Sequence, residues 1–208
     1  RRTEANAMIG LFKRLRKEEQ GAAIIEFAFV LTPLMLFLLG GLDLGYQAYL
    51  RSVVQGALND VSRTGSLEAP GFACSGDSVE AKIGCAIRTR SDVVARNATY
   101  QINMRSFYDF SSIGRSEKLV TDYNSNGQYD PGDCFIDLNE NGAFDASAGR
   151  DNIGGADDVV FYEVNLSMPR LFPIHRFLDV SPNYSINATS AIRNQPYAVQ
   201  KKPPTVCV

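Results

Sequence analysis

One stretch limits what this chain can fold into. From Ala22 to Leu42 it reads AAIIEFAFVLTPLMLFLLGGL, with Glu26 as its single charge. As a helix rising about 1.5 Å per residue, a run of this length crosses a hydrocarbon core of about 30 Å. Thirteen of its residues are Ile, Leu, Val, Met or Phe. Together they favour insertion by about 4 to 8 kcal/mol, against a cost of about 3 kcal/mol for one mid-membrane carboxylate. A cleaved secretory peptide fits less well, because its apolar region runs to about 7–15 residues before a small-x-small site. This run is longer and ends in Gly-Gly-Leu-Asp-Leu-Gly. Residues 1–20 carry six basic residues against three acidic ones, and basic residues gather on the cytoplasmic side of a span. The pattern predicts a cytoplasmic basic leader over 1–21, a transmembrane helix over 22–42 and a periplasmic or extracellular head over 43–208.

An intramembrane carboxylate calls for a reason. Glu26 lies about one helical turn past Gly21, which follows Lys-Glu-Glu-Gln, and Met8 opens a typical short leader, MIGLFKRLRKEEQG. The string Gly21-Ala22-Ala23-Ile24-Ile25-Glu26-Phe27-Ala28 resembles the prepilin-peptidase site of type IV pilin-like proteins. It is most similar to the TadE-like pseudopilins (minor pilins) of tight-adherence (Tad) pili. The resemblance implies cleavage between Gly21 and Ala22 by a prepilin peptidase. It also implies that the partners are the membrane and other pilin or pseudopilin subunits, with Glu26 acting in assembly. The physics agrees: cleavage leaves an ammonium at Ala22, and a carboxylate on a neighbouring helix neutralises it strongly where the dielectric is low. The bland alternative is that Glu26 only complements the helix dipole.

Beyond the span, Tyr46, Tyr49, Leu50, Val53, Val54, Ala57, Leu58 and Val61 recur at helical spacing as far as Gly65, a suitable C-cap. Pro33 is tolerated within a membrane helix. A second helix is expected over Ser78–Arg96. Three stretches alternate with period 2, around Tyr100–Met104, Val160–Met168 and Tyr184–Ala188, as half-buried strands do. The expected class is α+β: a long N-terminal helix on a small antiparallel sheet, which is the pilin-like plan, with an acidic insert.

That insert, residues 121–158, holds nearly all of the local negative charge. Residues 121–160 carry nine acidic side chains and one basic one, Arg150. Asp122, Asn124, Asn126, Gln128, Asp130 and Asp133 fall at positions 1, 3, 5, 7, 9 and 12 of a D-x-N-x-N-G loop. The pattern recurs fifteen residues later as Asp137, Asn139, Asn141, Ala143 and Asp145. Calcium takes six to eight oxygens at about 2.3–2.6 Å, and alternate side chains of a tight loop plus the position-7 carbonyl supply them. The loops resemble the calcium loops of EF-hands, dockerins and thrombospondin type 3 repeats. They depart from these in using Asn at positions 3 and 5 and Ala148 at position 12 of the second loop. No helices flank them, so the expectation is weak extracellular-type calcium binding, with Asp151, Asp157 or Asp158 completing the second site. Without an ion, Asp-Asn-Gly clusters are ordinary turn formers; the register-matched repeat favours calcium.

The rest of the composition mainly excludes. Lys and Arg number 21, Asp and Glu 23, and there is a single histidine, which argues against nucleic acid and against a His-rich zinc site. Cys74, Cys85, Cys134 and Cys207 all follow the span and are even in number, as disulfides in an oxidising compartment would be; four cysteines allow three pairings. Cys74–Cys85 would close a short loop, and Cys134–Cys207 would tie the tail to the insert. His175 reads as packed or surface, and Lys201–Pro204 as irregular. No nucleophile and base are paired for catalysis and no small-molecule substrate is expected. The expected role is a pseudopilin of a Tad pilus, contributing to assembly and surface adhesion. The alternative is a permanently anchored calcium-dependent adhesion protein.

Overall fold

The computed structural model describes residues 19–177 and 179–208. Helix α1 runs over Glu19–Gly65, α2 over Val79–Ser91, and six strands follow: β1 Thr99–Phe107, β2 Lys118–Thr121, β3 Cys134–Ile136, β4 Val159–Pro169, β5 Asn183–Arg193 and β6 Thr205–Cys207. The strands form two three-stranded antiparallel sheets, ordered β1-β4-β5 and β2-β3-β6. The three alternating stretches of the sequence are β1, β4 and β5. The second sheet was not legible: β2, β3 and β6 are short, and β6 begins just after Lys201–Pro204, which is irregular as expected.

The chain divides into two compact units. One comprises the chain as far as Tyr46 together with Leu171–Ser181; the other comprises Gln47–Arg170 and Pro182–Val208. In the first, α1 presents apolar side chains outward, with Phe29 and Phe37 77% and 80% exposed. Pro33 lies within this helix, and the Thr32 hydroxyl bonds back to the Ala28 carbonyl at 2.9 Å.

In the second unit the remainder of α1 buries Leu50, Val54, Leu58 and Val61, all at 0% exposure. They share a core with Ile83 and Ile87 of α2 and with the inward residues of β4 and β5, including Val160, Tyr162, Val164, Leu166, Tyr184 and Ile186. Period 2 puts these strand residues on one face, and the opposite face carries Glu163, Asn165 and Asn187, which bond to one another. Helix and sheet edge are joined where Gln55 donates to the Thr189 carbonyl at 2.9 Å. Gly65 ends α1 where a Cβ would meet the Tyr162 hydroxyl at 3.1 Å.

Helix α2 is shorter than its apolar spacing suggested. Ser78 caps it by accepting from the Ala81 N–H at 3.1 Å, and Asp92 closes it. The Tyr100 hydroxyl donates to Asp92 at 2.7 Å, and the β-branched pair Val93-Val94 leads into Asn97 at φ +61°, a conformation no helix interior holds.

Candidate functional site

Gly21 and Ala22 lie in the first turns of α1, and Glu26 is one turn further on, exposed among Ile25, Phe27 and Val30, each more than half exposed. Residues 1–18 of the basic leader lie outside the described residues. The part of α1 from Ala23 onward is long and apolar enough to cross a membrane.

The two acidic loops adopt one backbone conformation. Position 4 is left-handed in both (Ser125 φ +56°, Glu140 φ +61°), and so is position 6 (Gly127 φ +75°, Gly142 φ +78°). At each position 1 an aspartate oxygen accepts the position-6 N–H at 2.7 Å, Asp122 from Gly127 and Asp137 from Gly142. At each position 9 a carboxylate oxygen accepts two side-chain amides: Asp130 from Asn124 and Asn126, both at 2.7 Å, and Asp145 from Asn139 at 2.7 Å and Asn141 at 2.6 Å. The Asn oxygens accept backbone N–H groups, as Asn126 does from Gln128 and Asn141 from Ala143, both at 2.7 Å.

Position 12 is where the loops differ in sequence and agree in space. Asp133 accepts the N–H of position 2, Tyr123, at 3.0 Å and of position 9, Asp130, at 2.9 Å. The second loop has Ala148 at position 12, which is 1% exposed. Its equivalent carboxylate is Glu117, on the residue before β2. Glu117 accepts the position-2 N–H of Leu138 at 2.7 Å and the position-9 N–H of Asp145 at 3.1 Å. Asp151, Asp157 and Asp158 do not take this place. Asp151 pairs with Arg105, Asp157 with Arg193, and Asp158 accepts from Gly155 and Gln200. Glu117 lies outside the repeat and carries no spacing signal; only the fold of β2 against β3 brings it there.

Three of these carboxylates are buried: Glu117 at 3% exposure, Asp133 at 2% and Asp137 at 2%. Burial raises the Glu117 pKa above the ordinary Glu value, and the nearby Asp137 charge adds to this against the backbone hydrogen bonds. Asp130 is held below the ordinary Asp value by the Asn124 and Asn126 amides. The Asp122 Oδ1 atom is buried with no hydrogen-bond partner. Among the described residues, no three His, Cys, Asp or Glu side chains converge as a ready metal site.

An aromatic cluster joins the loops. The position-8 rings, Tyr129 and Phe144, stack at 4.5 Å between centroids, and each meets Phe135 edge-on at 5.5 Å. Phe135 is on β3, the three-residue link between the loops. The Cys134–Cys207 disulfide fastens β3 to β6, and Cys74–Cys85 closes the loop before α2.

Among the described residues, helix, sheets and disulfides together define an α+β protein with one apolar helix long enough to cross a membrane. Residues 21–63 match the family model of TadE-like proteins, the stretch that holds the Gly-Ala-Ala-Ile-Ile-Glu-Phe-Ala string and most of α1. No curated protein and no solved structure matches the chain.

Proposed function

We propose that this chain is a pilin-like subunit of a tight-adherence pilus, cut between Gly21 and Ala22 by a prepilin peptidase and contributing to pilus assembly and surface adhesion. The observation that carries this reading is the TadE-like match over residues 21–63, which takes in the apolar run 22–42, whose single carboxylate, Glu26, is exposed about one turn after the proposed cleavage point. Before assembly the apolar turns sit in the inner membrane with the head in the periplasm. In a filament, Glu26 of one subunit neutralises the new Ala22 ammonium of another, an attraction that strengthens as water is excluded. The role is structural rather than catalytic.

The paired loops are read as calcium sites. Asp122, Asn124, Asn126, Asp130, Asp133 and the Gln128 carbonyl would hold one ion. Asp137, Asn139, Asn141, Asp145, the Ala143 carbonyl and Glu117 would hold the other. All of these donors are oxygens, as calcium prefers. Support comes from the orphaned Asp122 oxygen and from three buried carboxylates, since buried charge is costly without a countercharge. The Asn amides that meet Asp130 and Asp145 deliver in part the positive charge that an ion would deliver in full.

The test is intact mass and N-terminal sequence of the protein recovered from membranes, with and without the prepilin peptidase. A peptidase-dependent N-terminus at Ala22 is expected. An uncut chain would overturn the pilin reading, leaving the paired loops to favour a permanently anchored, calcium-dependent adhesion protein.

A further inference from the structure

The connection between β4 and β5 is unlike the other loops of the head. Leu171–Ser181 belongs to the compact unit that contains α1 as far as Tyr46. It turns once through a short 3-10 helix, Ile174–Arg176, and buries Ile174 to 8% exposure. It nevertheless leaves Leu171, Phe177 and Val180 at 54%, 69% and 38% exposure. Interleaved with them, Arg176 and Asp179 are exposed. Large apolar side chains held outward in water gain nothing for folding, and the described part of α1 in the same unit is apolar too, with Leu42 and Leu44 58% and 66% exposed near the end of the span.

We propose that this loop is a second membrane contact, seated in the interfacial layer of the bilayer that α1 crosses. The inference rests on reading α1 as membrane-spanning. Leu171, Phe177 and Val180 dip into the acyl boundary, while Arg176 and Asp179 stay among the headgroups. Amphipathic surface elements use this division, with apolar groups immersed by about 5–10 Å. Because the loop is continuous with β4 and β5, the head is tethered at two points of the chain, α1 and the β4–β5 connection.

The chain has no tryptophan, so one introduced indole reports its own surroundings. Full-length protein carrying Phe177→Trp is reconstituted in phosphatidylcholine vesicles, some with bromines on shallow and some on deep acyl carbons. Phe37→Trp reports the span, and Tyr123→Trp, at a position 74% exposed on the first acidic loop, reports water. Leu171→Trp repeats the measurement if the Phe177 variant does not fold. The expected result is blue-shifted emission from the loop, quenched most by shallow bromines, with Phe37→Trp quenched most by deep ones. Red, unquenched emission from the loop beside a quenched Phe37→Trp overturns the proposal alone. An unquenched Phe37→Trp overturns the spanning reading beneath it. Blue emission untouched by bromines and rising with protein density assigns the loop to a second copy, which also overturns the proposal.

Discussion

Glu117 and Asp133 perform one task from different places in the sequence: each closes a loop by accepting the N–H groups of positions 2 and 9. Replacing Glu117 with Gln is therefore expected to reduce calcium uptake from two ions per chain to one, read by isothermal titration; unchanged stoichiometry would exclude Glu117 as a ligand. The two perturbed carboxylates also set opposite pH trends. Glu117 titrates above its unfolded value, so its contribution to stability is complete below that value and lost as pH rises through the folded one. Asp130 titrates low, so its contribution is present above its unfolded value and lost as pH falls through the folded one. In EDTA, raising the pH above about 4.5 is expected to cost wild-type protein more Tm than Glu117→Gln. Bound calcium would shrink the difference, because a cation favours the deprotonated carboxylate. Gly142→Ala meets no atom within 4 Å but must hold φ +78°, and should cost about 1–2 kcal/mol by denaturant titration. The left-handed glycines and the repeated loop register were legible from the motif. Glu117, and the left-handed Ser125 and Glu140, were not, because a tertiary contact and a loop's closure leave no periodic trace.

The elements divide in the same way. Strands β1, β4 and β5 were readable because one face of each is buried and the other wet, which imprints period 2. Strands β2, β3 and β6, of three or four residues each, are too short to show it; they form because a disulfide and two loops hold them in register. Removing the disulfide as Cys134→Ser with Cys207→Ser should lower stability by about 2–4 kcal/mol, the usual effect for a long closed loop. The loss should appear as weaker calcium binding as well as a lower Tm, since β3 links both loops. Helix α1 is tested at Leu58, which is fully buried. Leu58→Ala should cost about 2–5 kcal/mol and leave calcium stoichiometry at two, which separates core from insert.

For the whole molecule, calcium at a hundred times its Kd should add about 2.7 kcal/mol per site and raise Tm by several degrees; a melt identical in EDTA and calcium would remove the ion from the account. Replacing Glu26 with Ala should leave membrane insertion intact and abolish piliation, and normal pili on that mutant would count against charge neutralisation between helices. The long apolar helix was foreseeable from the hydropathy pattern; the grouping of Leu171–Ser181 with the chain as far as Tyr46 was not, because the sequence between two strands reads only as a connection. The pairing of β3 with β6 also imposes an order in time. A chain emerging from its N-terminus delivers both acidic loops and β2 well before residues 205–207. Until those residues arrive, β3 has an open edge and Cys134 lacks its partner. The insert thus matures late, after the central sheet is complete, and a chain halted before residue 205 would carry the acidic loops but not the strand that locks them.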